Sequence, residues 1–79
     1  MSNESMRLDQ LPTGSFGEVI NITAEGQSRR RLLDLGLIHG TKVESLRKSP
    51  AGDPTAYEIR GAVIALRADE ASKVFVKKI

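Results

Sequence analysis

The chain has 79 residues, the length of one domain, and a net charge of only +2, from 12 Lys and Arg against 10 Asp and Glu. It has no Cys, which excludes disulfides, thiolate metal sites and thiol nucleophiles. With two Phe, one Tyr and no Trp, it also offers few rings on which nucleic-acid bases could stack.

The N-terminal residues do not have the pattern of a secretory signal, and the longest apolar run, Ala62–Leu66, is too short to cross a bilayer. We therefore expect a cytoplasmic protein without direct membrane insertion. Residues 1–6 are polar and are predicted to form a flexible N-terminus. Residues 7–79 are predicted to form a single domain.

The first predicted features are two buried leucines at one end of the core and a strand. Leu8 and Leu11 precede a turn at Gly14, and we expect both leucines to close one end of the core. Phe16–Thr23 is rich in β-branched residues and is predicted to be the first strand, with its two isoleucines on one face.

A helix is predicted next, over Ser28–Leu35, because its three leucines fall within one apolar stripe. Ser28 is expected to cap the start of this helix. Gly36 suits the left-handed conformation that ends a helix, and Gly40 suits the next tight turn.

Thr41–Lys48 is predicted to be the second strand. Val43 and Leu46 are an odd number of residues apart, so burying both requires a bulge or a strong twist. Ser49–Pro54, which contains Gly52, is predicted to be a loop.

Two strands follow in close succession, Thr55–Arg60 and Ala62–Arg67, with Gly61 as the turn or bulge between them. Ala68–Ser72 is predicted to form one helical turn, and Val74–Ile79 the last strand. About five short strands and one helix indicate a small closed or nearly closed barrel, because closure removes exposed sheet edges.

Glycines and apolar residues in a fixed order run from residue 8 to the end of the chain. They are Leu8, Leu11, Gly14, Gly17, Arg31–Leu37, Gly40, Val43, Pro50–Pro54, Gly61, Ala65–Arg67, Glu70 and Ala71. This ordered set resembles the FeoA family, the small ferrous iron transport protein A of bacteria.

The resemblance implies a mainly β fold, a small SH3-like barrel with one α-helix inserted after the first strand and a short helical turn before the last. It also implies an accessory role in ferrous iron uptake. The chain would dock on the cytoplasmic GTP-binding part of ferrous iron transport protein B, a membrane transporter, and thereby lie at the inner membrane. A similar module ends the iron-dependent repressors of the diphtheria toxin repressor type, so a regulatory module with weak transition-metal binding is an alternative.

The family name makes a metal site the first chemistry to consider. The chain has a single His, His39, with Asp34 and Glu44 as its nearest carboxylates in sequence. A ferrous site needs two or three converging ligands, so His39 is a weak candidate, and we expect no tightly bound cofactor. Gly14–Gly17 lacks the lysine of a phosphate-binding loop, and the sequence predicts no enzyme.

A partner surface is predicted at the helix and its exit, at Arg30, Arg31, Asp34, Leu37 and Ile38. Guanidinium groups can hold carboxylates or phosphates, and an exposed apolar pair can anchor a partner. In the alternative interpretation the arginine stems cover the leucines, and Leu37 or Ile38 belongs to the core. A nucleic-acid-binding barrel is the weaker functional alternative, because acidic residues such as Glu44, Asp53 and Glu58 would interrupt its basic stripe.

Overall fold

A six-stranded antiparallel sheet organises the chain in the computed structural model, which describes residues 5–79. The strands are β1 (Met6–Arg7), β2 (Phe16–Ile22), β3 (Lys42–Lys48), β4 (Thr55–Ile59), β5 (Ala62–Leu66) and β6 (Val74–Lys78). Helix α1 (Gly26–Asp34) follows β2, helix α2 (Ala68–Ala71) precedes β6, and a 3-10 turn spans Leu8–Gln10.

The strands lie in the order β1-β6-β2-β3-β4-β5, which confirms the mainly β fold with a helix after the first long strand. Within the described residues, β1 and β5 are the two edges, so the curved sheet is open rather than closed by hydrogen bonds. The strand beyond the predicted five is β1, in which Met6 pairs with Val76 and Arg7 with Phe75. Of the predicted flexible segment 1–6, residues 1–4 lie outside the described residues, whereas Met6 is in a strand.

One hydrophobic core lies on the inner side of the sheet and is closed by α1, α2 and the 3-10 turn. Its fully buried members come from every part of the described chain. They are Leu8, Leu11, Val19, Leu32, Leu37, Val43, Tyr57, Ile59, Leu66, Ala71, Val74 and Val76. The prediction that Leu8 and Leu11 seal the core is thus confirmed.

Two bulges decide which side chains enter this core. In β2 the register shifts between Val19 and Asn21, so Val19 and Ile22 are buried and Ile20 is only half-buried. The expectation that Ile20 and Ile22 share one face is therefore wrong, because the extra residue at Ile20 shifts the alternation of side chains along the strand. In β3 the register shifts between Ser45 and Arg47, so a bulge lies at Leu46. Leu46 is only half-buried, so the condition under which the sequence requires a bulge, burial of both Val43 and Leu46, is not met.

Helix α1 begins two residues before the predicted start. Its N-cap residue is Glu25, with extended backbone and no side-chain cap, and Ser28 lies inside the first turn. The predicted Ser28 cap is wrong, because the N-cap position is occupied by Glu25 and Ser28 already lies inside the helix.

The helix ends in a Schellman motif, and this motif fixes the chain that follows. The N–H of Gly36 donates to the carbonyl of Leu33 at 2.9 Å, and that of Leu37 donates to the carbonyl of Leu32 at 3.1 Å. Gly36 has a φ of 101°, a left-handed conformation that favours glycine. The motif turns Leu37 back onto Leu32, and both side chains are buried in the core.

The other predicted turn glycines also have positive φ values, namely Gly14, Gly40, Gly52 and Gly61. The β4–β5 turn contains Arg60 as well as Gly61. Ile59 pairs with Ala62, so the turn has two residues, and Arg60 takes a φ of 54° beside Gly61 at 87°. Positive φ at both positions is the signature of a type I′ turn, whose twist matches that of the strands.

Candidate functional site

The three consecutive arginines of α1 have different surroundings. The guanidinium Nη1 of Arg29 donates to the carbonyl of Ile22 at 3.2 Å, which ties the helix to the end of β2. Arg31 forms an ion pair with Glu70. Arg30 is exposed and forms no ion pair within residues 5–79. Of the three, Arg30 is therefore the one that can contact a partner without losing an internal bond.

The Arg31–Glu70 pair connects the two helices. Glu70 Oε1 also accepts a hydrogen bond from the backbone N–H of Arg67 at 3.1 Å, at the start of α2. Nearby, Asp53 Oδ1 accepts from the N–H of Ala68 at 2.8 Å. These carboxylates accept hydrogen bonds from backbone N–H groups at the start of α2, which have no partner within the helix. A partner that recruited Arg31 would have to compete with Glu70.

Leu37 and Ile38, the predicted apolar anchors, differ completely in exposure. Leu37 is 0% exposed, so its prediction as a contact residue is wrong, because the Schellman motif places it in the core. Ile38 is 43% exposed and lies at the rim of a small groove of about 110 Å³ between β2 and the helix exit.

Backbone hydrogen bonds hold the helix exit rigidly against β2. The N–H of Gly40 donates to the carbonyl of Val19 at 2.7 Å, and the N–H of Val19 donates to the carbonyl of Thr41 at 2.9 Å. The N–H of Thr41 closes the turn on the carbonyl of Ile38 at 3.0 Å. The side chains of Ile38 and His39 are therefore presented by a fixed turn, which lowers the entropy that a partner must remove on binding.

We call the set Arg30, Leu33, Asp34, Ile38 and His39 the helix-exit surface. Arg30, Leu33 and Asp34 border a shallow depression of about 400 Å³, and Leu33, Ile38 and His39 border the smaller groove. The helix-exit surface thus combines an exposed apolar side chain, Ile38, with the oppositely charged Arg30 and Asp34.

His39 is exposed in this surface, and residues 5–79 contain no group of three His, Asp or Glu side chains that could hold a metal ion. In particular, the described side chains do not bring Asp34 and Glu44 together with His39 into such a group.

Sequence reasoning missed a second concave surface, on the outer face of the sheet. It has a volume of about 430 Å³ and is lined by side chains from β2, β3 and β4, Phe16, Glu44 and Glu58 among them. Each of these residues is an ordinary outward position of its own strand. Only the strand register, which the sequence does not give, aligns them.

Neither helix in the described part of the chain could cross a membrane, since α1 has nine residues and α2 has four.

Comparison with known families and proteins gives a consistent result. The FeoA domain family model matches residues 6–78. A curated relative, the Fe(2+) transport protein A/Fe(2+) transporter FeoB fusion protein of Porphyromonas gingivalis, is 32% identical over 74 residues. That match covers 94% of this chain and 9% of the fusion protein, so the chain spans less than a tenth of that relative.

Solved structures have the same fold. The solution structure of the FeoA protein of Chlorobium tepidum is 39% identical, with a TM-score of 0.87, over 94% of this chain and 70% of that one. The crystal structure of Stenotrophomonas maltophilia FeoA complexed with zinc is 32% identical, with a TM-score of 0.82, over 91% of this chain and 89% of that one. The latter is a bacterial SH3 domain protein, in agreement with the SH3-like fold expected from the sequence.

Proposed function

Because this chain belongs to the FeoA domain family, we propose that it is a cytoplasmic accessory protein of bacterial ferrous iron uptake. In this proposal it docks on the cytoplasmic GTP-binding part of ferrous iron transport protein B and supports or regulates iron transport. It acts by contact, catalyses no reaction and needs no tightly bound cofactor.

The observation that carries the proposal is the fusion protein of Porphyromonas gingivalis. There, a region similar to nearly all of this chain is joined to the transporter FeoB in one polypeptide. Joining two parts raises the effective concentration of each for the other, an advantage when the parts bind weakly. For the Stenotrophomonas maltophilia relative, a role as a ferrous iron transport activating factor has been suggested.

The helix-exit surface is the docking site that we propose. It combines an apolar anchor, Ile38, with the unpaired Arg30 and with Asp34 one helical turn later. Its small area predicts weak and reversible binding, which suits a regulator that must leave the transporter again. Arg31 stays in the proposed contact set only as a secondary member, because it is paired with Glu70.

The test is a binding titration of this chain with the cytoplasmic GTP-binding domain of the transporter from the same organism. The double variant Arg30→Glu, Ile38→Asp should weaken binding by about tenfold or more, since it removes an apolar anchor and reverses a charge. Leu37 is unsuitable for this experiment because a charge at this buried position would unfold the chain.

Lys48→Glu is the matched control. Lys48 is exposed and lies at the far end of β3, about 20 Å along the strand from the helix exit. It should bind like the wild type. Absence of binding by the wild type would refute docking on this domain, whereas equal binding by all three proteins would refute only the proposed location. Iron flux and GTP hydrolysis, measured with and without the chain, then distinguish support from regulation.

The order of the paired residues across the strands weakens the alternative that the chain binds nucleic acid. Glu18 of β2 pairs with Lys77 of β6 on one side and with Lys42 of β3 on the other. The lysines that a phosphate-binding stripe would need are thus separated by a carboxylate. For the metal-responsive alternative, His39 is the residue to follow during titration with ferrous or zinc ion.

A further inference from the structure

We propose that the outer face of the sheet carries a second docking surface, which binds an extended protein segment with Arg or Lys between apolar side chains. The surface is one cross-strand row, formed by Phe16, Glu44, Glu58 and Val63, and we call it the outer row. It shares no residue with the helix-exit surface.

Strand register places the four side chains in line. Phe16 of β2 pairs with Glu44 of β3, Glu44 with Glu58 of β4, and Glu58 with Val63 of β5. Directly opposed side chains on one face have Cβ atoms about 5 Å apart, so the row extends over four strands. A continuous line of this kind fits an extended segment that crosses the strands.

Exposed apolar side chains stand at both ends of the row. Phe16 is 37% exposed and Val63 is 63% exposed. Ile79, which is 58% exposed, extends the row beyond Phe16, because its N–H donates to the Phe16 carbonyl at 2.9 Å. Of the four large apolar side chains exposed within residues 5–79, three therefore lie on this one line. Such a concentration is typical of a binding surface rather than of scattered exposure.

The middle of the row is negative. Glu44 and Glu58 are directly opposite each other, and like charges in that position destabilise a sheet. Within residues 5–79, neither carboxylate forms an ion pair. The fold thus bears a small repulsion that a cationic side chain from another molecule would relieve, which is why we assign a Lys or Arg to the middle of the bound segment.

The neighbouring row of the same sheet supplies an internal comparison. There the paired residues are Lys77, Glu18 and Lys42, whose charges alternate along the row, although within residues 5–79 Glu18 also forms no ion pair. The two adjacent rows therefore differ in charge pattern. In one row each charge is opposite a charge of the other sign, whereas in the outer row the two carboxylates are opposite each other and would be neutralised by a cation from another molecule.

Two cations border the groove on its helix-exit side, and both have internal contacts. Lys42 Nζ lies 5.1 Å from the centre of the Phe16 ring, a cation–π contact. The aliphatic stem of Arg60 packs against Gly36. They leave Glu44 and Glu58 without an ion pair, and they can meet carboxylates or backbone carbonyls of the bound segment at the rim.

The test uses isotope-labelled chain and a synthetic peptide, Leu-Arg-Leu-Arg-Leu, with Leu-Glu-Leu-Glu-Leu as the control peptide. Amide resonances of the outer row should shift saturably with the arginine peptide at millimolar concentration and not with the control. Glu58→Gln should raise the dissociation constant by about three- to tenfold, since one or two exposed charge contacts are lost. Glu18→Gln, which removes the same charge from the adjacent row, should leave it unchanged.

Thermal unfolding of the same variants provides an independent readout. Glu58→Gln should keep or raise the unfolding temperature, and Glu18→Gln should lower it, because of the two only Glu18 is directly opposite cationic residues in the strand register. The proposal is overturned if the peptide gives no saturable shifts, if the shifts lie away from the row, or if both variants weaken binding equally. It is also overturned if Glu58→Gln destabilises the fold as Glu18→Gln does. The transporter domain takes no part here, so this outcome and that of the proposed function are independent.

Discussion

Replacing Gly36 by Ala tests the structural account of the helix exit, on which the position of Ile38 and His39 depends. The backbone at Gly36 has a φ of 101°, which an L side chain rarely adopts. A Cβ atom there would also lie 2.6 Å from Arg60 Cδ and 3.3 Å from Arg60 Cγ. The substitution therefore adds backbone strain and a steric contact.

The two contributions can be given magnitudes. A left-handed conformation costs a non-glycine residue about 1–2 kcal/mol. The contact falls on the middle of a flexible side chain, so Arg60 can move aside at about 0.5–1.5 kcal/mol for leaving its rotamer. The free energy of unfolding should fall by about 1.5–3.5 kcal/mol, and each kcal/mol lowers the unfolding temperature by roughly 4–8 °C in a domain of this size.

Gly40→Ala separates strain from contact, because Gly40 has a φ of 91° and nothing within 4 Å of the added Cβ. Urea unfolding followed by circular dichroism should show a larger loss for Gly36→Ala than for Gly40→Ala. When Arg60 is also replaced by Ala, Gly36→Ala and Gly40→Ala should lower the free energy of unfolding by the same amount. If Gly36→Ala costs no more than Gly40→Ala, or if the excess persists without the Arg60 side chain, the steric part of the explanation is refuted.

Three further predictions concern the core and the helix pair. Burial raises the pKa of Tyr57 to about 12. The contribution of Tyr57 to the free energy of unfolding should therefore be constant below a pH of about 10 and fall by about 1.4 kcal/mol per pH unit from there to about 12, because the tyrosine of the unfolded chain ionises first. Tyr57→Phe should lose this slope, and the single Tyr allows its ionisation to be followed by phenolate absorbance. An equal slope in both proteins would contradict the assignment. Gly17→Ala should lower the free energy of unfolding, measured with urea, by about 1–3 kcal/mol, because the added Cβ would lie 3.0 Å from Val76 Cγ2 in the core. An unchanged free energy of unfolding would show that β2 and β6 can move apart to make room. Arg31→Ala should lower the free energy of unfolding by less than about 1 kcal/mol, because the ion pair with Glu70 is exposed. Glu70→Ala should lower it more, since Glu70 also accepts a backbone hydrogen bond. A larger loss for Arg31→Ala than for Glu70→Ala would contradict this.

Local sequence signals account for much of the fold. Gly36 predicts the end of the helix, because a helix end is a property of neighbouring residues. The odd separation of Val43 and Leu46 requires a bulge in β3 only if both are buried, and the bulge forms although Leu46 is half-buried. The start of the helix differs from the prediction, since Ser28 is a good capping residue by type but lies inside a helix whose N-cap is Glu25. The second bulge, at Ile20, carries no local signal, because β-branched residues suit either face of a strand.

The candidate surfaces depend on tertiary structure and were harder to predict. Leu37 and Ile38 are adjacent apolar residues in sequence, and only the hydrogen bonds of the Schellman motif decide which one is buried. Likewise, nothing in the sequence near Arg31 indicates a bond to Glu70, 39 residues later. The outer row is a product of register among four strands, so single-strand periodicity could not reveal it.

The pairing of Met6 with Val76 brings the first and last strands side by side at one margin of the sheet. A polypeptide attached ahead of β1 and one attached after β6 would consequently depart from the same margin, away from the β4–β5 edge at the other side of the sheet. This layout explains how such a module can be tethered to a much larger protein, as in the Porphyromonas gingivalis fusion, without remodelling its own architecture.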